Sequence, residues 1–449
     1  MTDVTGFDRF SRWASRAVLG LFFRQVETSG LELVPASGPL LVVANHPNGL
    51  IDPVVLLGVL PRPVRFLGKS TLWAIPALRP FLALGGVIPV YRRHDPGVDP
   101  AKNAETFARC RQALGRGEAV ALFPEGVSHT EPRLLPLKTG AARIALETAA
   151  ELAPTGPVLR ILPVGLAFEE RDRFRSRAVV TVGAPLTVTA NAEPAAAREL
   201  TARIDAALSA LTASFDSWHE AERFQRAAEL FGRPGLALPS RRSLLEIHRL
   251  VRALRSAYPV VTAQAPAETA ALATAVGRYD RVLGRLGLTD AQVAARYPLS
   301  GVLGFTVRTL ASLVFFAPLA LAGTVLNFLP YLVVDRVADA GDRSLDHRAT
   351  WKLFGAIFLY PLAWLLQAGL AGLVAGWPWA VALAVAAPLT AYPALRFHEH
   401  ARRLQREARA YLLLRRRPRL ASALRRRRGD IVAGLEALAA HSGISGFTT

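Results

Sequence analysis

Short apolar runs alternate with longer amphipathic stretches between residues 26 and 190. The apolar runs, which are rich in β-branched side chains, predict strands at residues 40–44, 64–67, 87–91, 119–123, 160–166 and 179–182. Helical patterns begin near Pro53, Ala101 and Gly140. Strands that alternate with helices predict an α/β domain with a mixed sheet flanked by helices.

The residues on either side of this domain have helical patterns. Phe10, Trp13 and Leu21 follow helical spacing in an amphipathic helix predicted within residues 1–25, and they suit either a membrane surface or packing on the next domain. Residues 191–300 predict a helical region without recognisable chemistry. We therefore divide the chain into residues 1–25, 26–190, 191–300, 301–397 and 398–449.

Residues 301–397 contain three apolar runs, at 309–334, 353–375 and 377–395, and none of them carries a formal charge. About 20 apolar residues cross a bilayer as a helix, so each run is long enough or nearly so. A buried helical hairpin of a soluble domain is the alternative. Three such runs in close succession favour a cluster of α-helical membrane segments.

Charge adds a second membrane signal. The net charge is +19, and arginines are concentrated after the third apolar run, at 402–403, 415–417 and 425–428. Beside membrane segments, this composition predicts a basic cytoplasmic tail that binds anionic lipids, whereas a nucleic-acid-binding arm is the competing interpretation. Because both ends are expected in the cytoplasm, the second and third runs should form the crossing hairpin. The first run should then be re-entrant or interfacial.

Polar side chains that can support chemistry follow several predicted strands. His46 comes after the first strand and could act as a general base, and Asp52 could orient its ring. Equally, Asp52 could only cap the helix that begins near Pro53. Arg92 ends the third strand and suits a phosphate group. The single cysteine, Cys110, excludes a disulfide scaffold or a multi-thiolate zinc site.

Two further segments complete the pattern. Phe-Pro-Glu-Gly at residues 123–126 places Glu125 and Gly126 on a tight turn, and Lys138 precedes the helix near Gly140, where helix amides can bind an anion. Pro163 lies inside the fifth predicted strand, which indicates a sheet edge or a bulge facing a cleft.

These four segments, in this order, resemble the glycerolipid acyltransferases over about residues 26–190. The most specific part is Phe-Pro-Glu-Gly followed by Pro-Leu-Lys-Thr-Gly-Ala-Ala-Arg at residues 136–143. The resemblance implies that His46 is the catalytic base with Asp52 as its partner. It also implies that Arg92, Glu125, Gly126 and Lys138 hold the acceptor phosphate or shape its site, and that Pro163 marks the acyl-donor side.

One departure concerns the first segment. The family pattern separates histidine and aspartate by four residues, but here Ile51 occupies the expected aspartate position and Asp52 follows. The longer spacing resembles the fungal-type glycerol-3-phosphate and dihydroxyacetone-phosphate acyltransferases. It therefore favours glycerol-3-phosphate as the acceptor.

The resemblance thus implies a membrane-bound O-acyltransferase of phospholipid synthesis that uses acyl-CoA or acyl carrier protein as donor. We expect no cofactor, no metal and no nucleic-acid partner. The expected location is the cell membrane, with the catalytic domain cytoplasmic. The alternatives are a lysophosphatidate acyltransferase and a non-enzymatic, lipid-binding membrane scaffold.

Overall fold

A computed structural model describes residues 6–76, 78–91, 99–154, 156–191, 193–231, 242–340 and 345–441. Its contacts divide the chain into two compact units. The first contains residues 1–217 together with 344–350, and the second contains residues 218–343 and 351–449.

The first unit is an α/β domain. Its helices and strands are α1 (Gly6–Phe22), β1 (Phe23–Ser29), β2 (Leu40–Ala44), α2 (Ile51–Val59), β3 (Arg65–Lys69), α3 (Arg79–Leu84), β4 (Ile88–Val90), α4 (Asn103–Gly115), β5 (Ala119–Leu122), α5 (Gly140–Leu152), β6 (Arg160–Phe168), β7 (Ser176–Val182), β8 (Leu186–Thr187) and α6 (Ala196–Leu211). Short 3₁₀ turns occur at Leu31–Leu33, Ser70–Ala74 and Pro100–Lys102. The six predicted strands are all present.

The strands form one mixed sheet in the order β1-β7-β6-β2-β5-β3-β4, with β8 also paired to β6. The central strands β2 to β6 are mutually parallel, whereas β7 and β8 run antiparallel to β6. The carboxyl ends of the parallel strands therefore meet at one edge of the sheet, where open α/β sheets place ligands. This architecture confirms the predicted fold class.

Burial explains which strands were predictable. Every residue of β2 and β5 is buried, because helices cover both faces of parallel sheets and such strands are continuously apolar. The sequence analysis missed β1, a polar and largely exposed edge strand, and β8, which has two residues. It also placed α6 with the helical region. In the structure α6 packs on β6, where a Cβ on Gly165 would lie 2.9 Å from the Leu211 side chain.

Pro163 lies on an interior strand, so the predicted sheet edge is wrong. Val43 of β2 pairs with Pro163 on one side of β6. On the other side the pairing partner changes from β7 to β8, and the amide of Gly183 donates to the Pro163 carbonyl at 2.9 Å. The backbone nitrogen and oxygen of a strand residue lie on the same side of the strand, so the Pro163 nitrogen also faces the segment near Gly183. The pairing of β6 is already interrupted there, and the missing N–H of proline therefore breaks no regular hydrogen bond.

The second unit is entirely helical. Its elements are α7 (Trp218–Leu230), α8 (Leu244–Gln264), α9 (Pro266–Leu286), α10 (Asp290–Ala294), α11 (Leu299–Ala340), α12 (Leu345–Ala375), α13 (Trp377–Arg416) and α14 (Pro418–His441), the first turn of α12 belonging to the first unit. Residues 398–441, treated above as a tail, are helical because buried leucines recur between the arginines. Leu414, Leu424 and Leu435 pack with α9 residues such as Tyr279.

Three helices are long and apolar enough to cross a membrane: Ser300–Val337, Thr350–Ala375 and Trp377–Arg416. The first is part of α11, which continues for 42 residues through Pro318 and Pro330. A re-entrant loop needs a turn, so the re-entrant alternative is wrong, whereas the interfacial alternative stays a prediction. A Cβ on Gly323 of α11 would lie 2.3 Å from the Thr390 carbonyl of α13, which shows a close crossing between small residues.

Candidate active site

The site begins where β2 ends. Asn45 follows the last strand residue, and its side-chain amide donates to the Leu166 carbonyl at 2.9 Å while its oxygen accepts from the Leu166 amide at 2.7 Å. The side chain therefore continues the β2–β6 ladder one step beyond the backbone pairing. This arrangement fixes the direction in which the chain leaves the sheet, immediately before His46.

His46 and Asp52 form a buried pair at this edge. Nδ1 of His46 lies 2.9 Å from Oδ2 of Asp52, and the same oxygen accepts from the Asn48 amide at 2.8 Å. Asp52 lies in the first turn of α2, but its side chain bonds back to the preceding loop and does not cap the helix. The one-residue-longer spacing is accommodated by this loop, in which Gly49 has a φ of +50°.

The Asp52 contact selects one tautomer of the neutral imidazole. A carboxylate can only accept, so Nδ1 carries the proton and Nε2 presents a lone pair. Nε2 makes no hydrogen bond with the residues that the structure describes. The ring stacks on Phe123 with centroids 3.9 Å apart and planes inclined by 8°. The pair is therefore arranged to accept a proton at Nε2.

Burial affects the aspartate directly. Asp52 is 0% exposed, and this desolvation raises the pKa of its carboxyl group, although the hydrogen bond from His46 and the charge of Arg171 oppose the rise. The buried negative charge of Asp52 is unfavourable without a nearby positive charge. It is therefore stabilised when a positive imidazolium forms on His46 beside it. This electrostatic arrangement suits transient protonation of His46.

Glu125 holds the backbone of His46. Its carboxylate is 2% exposed, and Oε1 accepts from the His46 amide at 2.8 Å. Oε2 accepts from the Leu135 amide at 2.8 Å and from Nε2 of His129. With both oxygens engaged by the protein, Glu125 shapes the loop that carries His46.

The sequence analysis gave no role to His129. Its Nδ1 accepts from the Glu131 amide at 3.2 Å, so its proton lies on Nε2, facing Glu125. Its own amide donates to the His46 carbonyl at 3.3 Å. Glu125 and His129 therefore hold both the amide and the carbonyl group of His46. Their four-residue spacing was the only signal in the sequence.

Arg171 and Asn48 were also missed. Arg171, in the turn between β6 and β7, donates to the His129 carbonyl at 3.3 Å, and its own carbonyl accepts from the Asn48 side chain at 3.0 Å. Asn48 is 0% exposed. The turn after β6 thus closes one side of the site, through contacts that sequence spacing does not reveal.

Gly126 and Lys138 lie together, as the resemblance implies. Gly126 has a φ of +77°, and a Cβ there would come within 2.6 Å of the Lys138 amine. The Lys138 amide donates to the Pro124 carbonyl at 2.8 Å, and its side chain is exposed. The Gly126 amide donates to Phe123 at 3.0 Å, so it is not available to a substrate.

Of the other two predicted site residues, Pro163 is not brought to His46. Arg92 lies outside the described residues. Its strand, β4, runs parallel to β2 and ends at the same edge, three strands away, which is about 14 Å at the usual strand spacing. Pro163 is paired with Val43, three residues before His46 and thus about 10 Å along the strand. Its ring is buried near Leu211.

Among the described residues, no three His, Cys, Asp or Glu side chains are grouped so that they could hold a metal ion. What the arrangement offers is a histidine with a free, basic nitrogen, a buried carboxylate partner and an exposed lysine at the same edge of the sheet. That combination is suited to general-base catalysis of group transfer to a hydroxyl.

Comparisons with known proteins agree with this class. The Acyltransferase family profile matches residues 25–166, and the profile of the glycerol-3-phosphate acyltransferase 2 C-terminal domain matches residues 225–443. These two matches support the glycerolipid acyltransferase family, which the segments of the α/β domain resemble.

The curated relatives include proteins of yeasts and plants. An uncharacterized acyltransferase of Schizosaccharomyces pombe is 28% identical over 39% of this chain and 38% of its own length. Glycerol-3-phosphate O-acyltransferase 2 of Saccharomyces cerevisiae is 31% identical over 58% of this chain and 37% of its own length. The 1-acyl-sn-glycerol-3-phosphate acyltransferase BAT2 of Brassica napus is 31% identical over 35% of this chain and 47% of its own length. The chain thus spans less than half the length of each of these relatives.

Proposed function

We propose that this protein transfers a fatty acyl group from an acyl thioester to a hydroxyl of glycerol-3-phosphate. The observation that carries the proposal is the buried His46–Asp52 pair, with Nε2 of His46 free at the carboxyl edge of the sheet. The names of the relatives, which include two yeast glycerol-3-phosphate O-acyltransferases, supply the acceptor class.

The proposed reaction is a direct transfer. Nε2 of His46 takes the proton of the acceptor hydroxyl as its oxygen attacks the thioester carbonyl. Asp52 stabilises the imidazolium that forms. The tetrahedral intermediate collapses, the carbon–sulfur bond breaks, and the thiolate receives the proton from His46. No cofactor or metal takes part. We propose the backbone amide of Gly49 as a donor to the oxyanion, because the amide of the other nearby glycine, Gly126, already donates to Phe123.

Positive side chains are proposed to bind the acceptor phosphate. The exposed amine of Lys138 lies against Gly126, and Arg92 follows a strand that ends at the same edge. The proposed donor is acyl-CoA or acyl carrier protein, and it binds on the side of the site that Pro163 marks. Three apolar helices suggest membrane association. We propose the cell membrane, with this site facing the cytoplasm and the exposed arginines after the third helix near anionic lipids.

The test is an acyl-transfer assay of membranes that contain the full chain. Glycerol-3-phosphate, dihydroxyacetone phosphate and lysophosphatidate are supplied in parallel, with acyl-CoA or acyl carrier protein as donor. Transfer to glycerol-3-phosphate that His46→Ala reduces by about 10²–10⁴-fold supports the proposal. A preference for lysophosphatidate would instead support the activity named for the plant relatives. No transfer to any acceptor would favour a scaffold.

Arginine variants test the phosphate site. Arg92→Ala should raise the KM for the acceptor by roughly ten- to a hundred-fold, because a charge-assisted contact is lost, and should leave the KM for the donor nearly unchanged. Arg92→Lys should recover only part of the loss. Arg93→Ala is the matched control. A larger effect at Arg93 would show that the phosphate site is misplaced.

A further inference from the structure

A basic cavity lies at the amino edge of the sheet, away from His46. Its volume is about 410 Å³, and its lining includes Arg65, Arg109, Arg116, Trp73 and Gly86. Arg65 is the first residue of β3, whereas the candidate active site lies beyond the last residues of the parallel strands. The cavity therefore belongs to a different part of the α/β unit, and the proposed reaction does not use it.

Three guanidinium groups face two carboxylates here. Arg65 and Arg116 both donate to Glu118, with Nε of Arg116 at 2.8 Å, and Arg109 donates to Glu105 at 2.5 Å. Burial alone would raise the pKa of Glu118, but the hydrogen bonds from Arg65 and Arg116 keep it below its ordinary value, so Glu118 stays ionised. The side chains of these arginines are 40–54% exposed.

The cavity retains hydrogen-bond donors and excess positive charge. Each guanidinium has five N–H donors, and each uses a single nitrogen in these pairs with described residues. Gly86 makes room for one of them: its φ is +58°, and a Cβ there would lie 1.7 Å from Nη1 of Arg65. The three arginines outnumber the two carboxylates. The cavity is therefore suited to a phosphate-sized anion.

Exposed apolar side chains border this basic cavity. Ala83 of α3 lines it, and the neighbouring Phe81 and Leu84 are 60% and 62% exposed. Next to α3 lies α1, because a Cβ on Gly85 would be 3.6 Å from the Phe7 ring.

Helix α1 extends the apolar border. Its Leu19 and Phe22 are buried, whereas Phe10 and Trp13 are 54% and 65% exposed on the opposite face. Packing on the domain is thus shown for one face of the helix, whereas membrane contact of the other, exposed face stays a prediction. A soluble anion has no apolar part that could contact these exposed side chains, whereas a lipid has an apolar body next to its phosphate.

We propose that the cavity formed by Arg65, Arg109 and Arg116 binds the headgroup phosphate of an anionic phospholipid, while Phe81 and Leu84 enter the bilayer beside it. The α/β unit then has a lipid contact of its own, separate from the three apolar helices. The exposed aromatic face of α1 extends that contact. The inference does not depend on which acceptor the enzyme uses.

The probe is dihexanoyl-phosphatidylglycerol, below its micelle concentration, with the full chain in a zwitterionic detergent. Binding is measured by equilibrium dialysis of the labelled lipid. Replacing both Arg109 and Arg116 by glutamine should weaken binding at least about tenfold, since two charge-assisted contacts are lost. Arg198→Gln is the control. Arg198 is exposed on α6, and its substitution should leave lipid binding unchanged. Unchanged binding in the double variant would overturn the proposal.

Two further measurements distinguish a lipid headgroup from a soluble phosphate as the ligand of this cavity. Replacing Phe81 and Leu84 by serine should weaken lipid binding severalfold and leave binding of inorganic phosphate unchanged. Equal affinities for lipid and phosphate, with no effect of the serine variant, would show a soluble-anion site and refute the lipid. Excess glycerol-3-phosphate should not displace the lipid, because displacement would mean that the probe occupies the catalytic site. Transfer activity in zwitterionic lipid, measured on the same samples, reports separately on the proposed function and on folding.

Discussion

His129 offers the sharpest test of how the site is held. Its Nε2 donates to the buried Glu125 carboxylate, which in turn binds the His46 amide at 2.8 Å. His129→Ala removes this donor and also the acceptor of the Glu131 amide. His129→Gln restores both functions, because a glutamine amide has one donating and one accepting end. The pair of variants therefore separates loss of the hydrogen bonds from loss of the imidazole.

The magnitude follows from the contacts that remain. Glu125 keeps the amides of His46 and Leu135, so the loss of one bond to a buried charged group should cost about 1–3 kcal/mol. If this loosens the loop by about 1 Å, kcat should fall by up to roughly a hundredfold, because proton transfer depends on the position of Nε2. KM for both substrates should change little, since His129 does not lie in the proposed phosphate site.

Steady-state kinetics, with each substrate varied and kcat normalised to folded protein, is the assay. We expect a large fall in kcat for His129→Ala and recovery to within a few-fold of wild type for His129→Gln. A purely structural histidine would lower the yield of folded protein and leave normalised kcat unchanged. That result, or a glutamine variant as impaired as alanine, would refute the proposed positioning by Glu125.

Three further predictions concern stability and reactivity. Asp52→Asn should lower kcat at least about a hundredfold and raise the apparent Tm at pH 7, because the raised pKa of Asp52 means that its charge is costly in the folded state. The Tm advantage should shrink as the pH falls and vanish below about pH 3, where the carboxyl group is protonated in both the folded and the unfolded state. An advantage that stays constant with pH would contradict this cause. Burial raises the pKa of the Cys110 thiol to about 12, so N-ethylmaleimide should neither label nor inactivate the folded protein, as intact-mass measurement with an unfolded control would show. The side chain of Arg428 is 13% exposed and lies 2.9 Å from Asp290. Arg428→Gln should therefore lower the free energy of unfolding by roughly 3 kcal/mol, whereas Arg427→Gln, at an exposed position, should lower it by under about 0.5 kcal/mol in the same denaturation experiment.

The fold was predictable where burial leaves a strong local pattern. Strands such as β2 are apolar throughout because both faces are covered, and their boundaries were nearly correct. Edge strand β1 carries five polar residues in seven, so its pairing with β7 could not be read from its own sequence. Likewise, a segment with clustered arginines was interpreted as a tail, although Arg425 and Arg428 bond to the α10 region.

The site was predictable only in part, for a related reason. The His46–Asp52 pair is local, six residues apart, and the positions of His46 after a strand and of Asp52 before a helix were visible in the sequence. Other contacts join distant segments: Glu125 reaches His46 across 79 positions, and Asn48 reaches Arg171 across 123. Spacing carries no information about such contacts. They depend on the strand order, which places β6 and β5 on either side of β2.

The two hydrogen bonds of Asn45 set an order of events during folding. They join residues that are 121 positions apart, so the loop carrying His46 cannot take its final direction until β6 has been added beside β2. Closing so long a stretch of chain is slow compared with forming a helix. A growing polypeptide would therefore contain both members of the catalytic pair long before it could orient them. Activity should appear only after the turn that follows β6 has joined the sheet, as one of the last steps in the maturation of this unit.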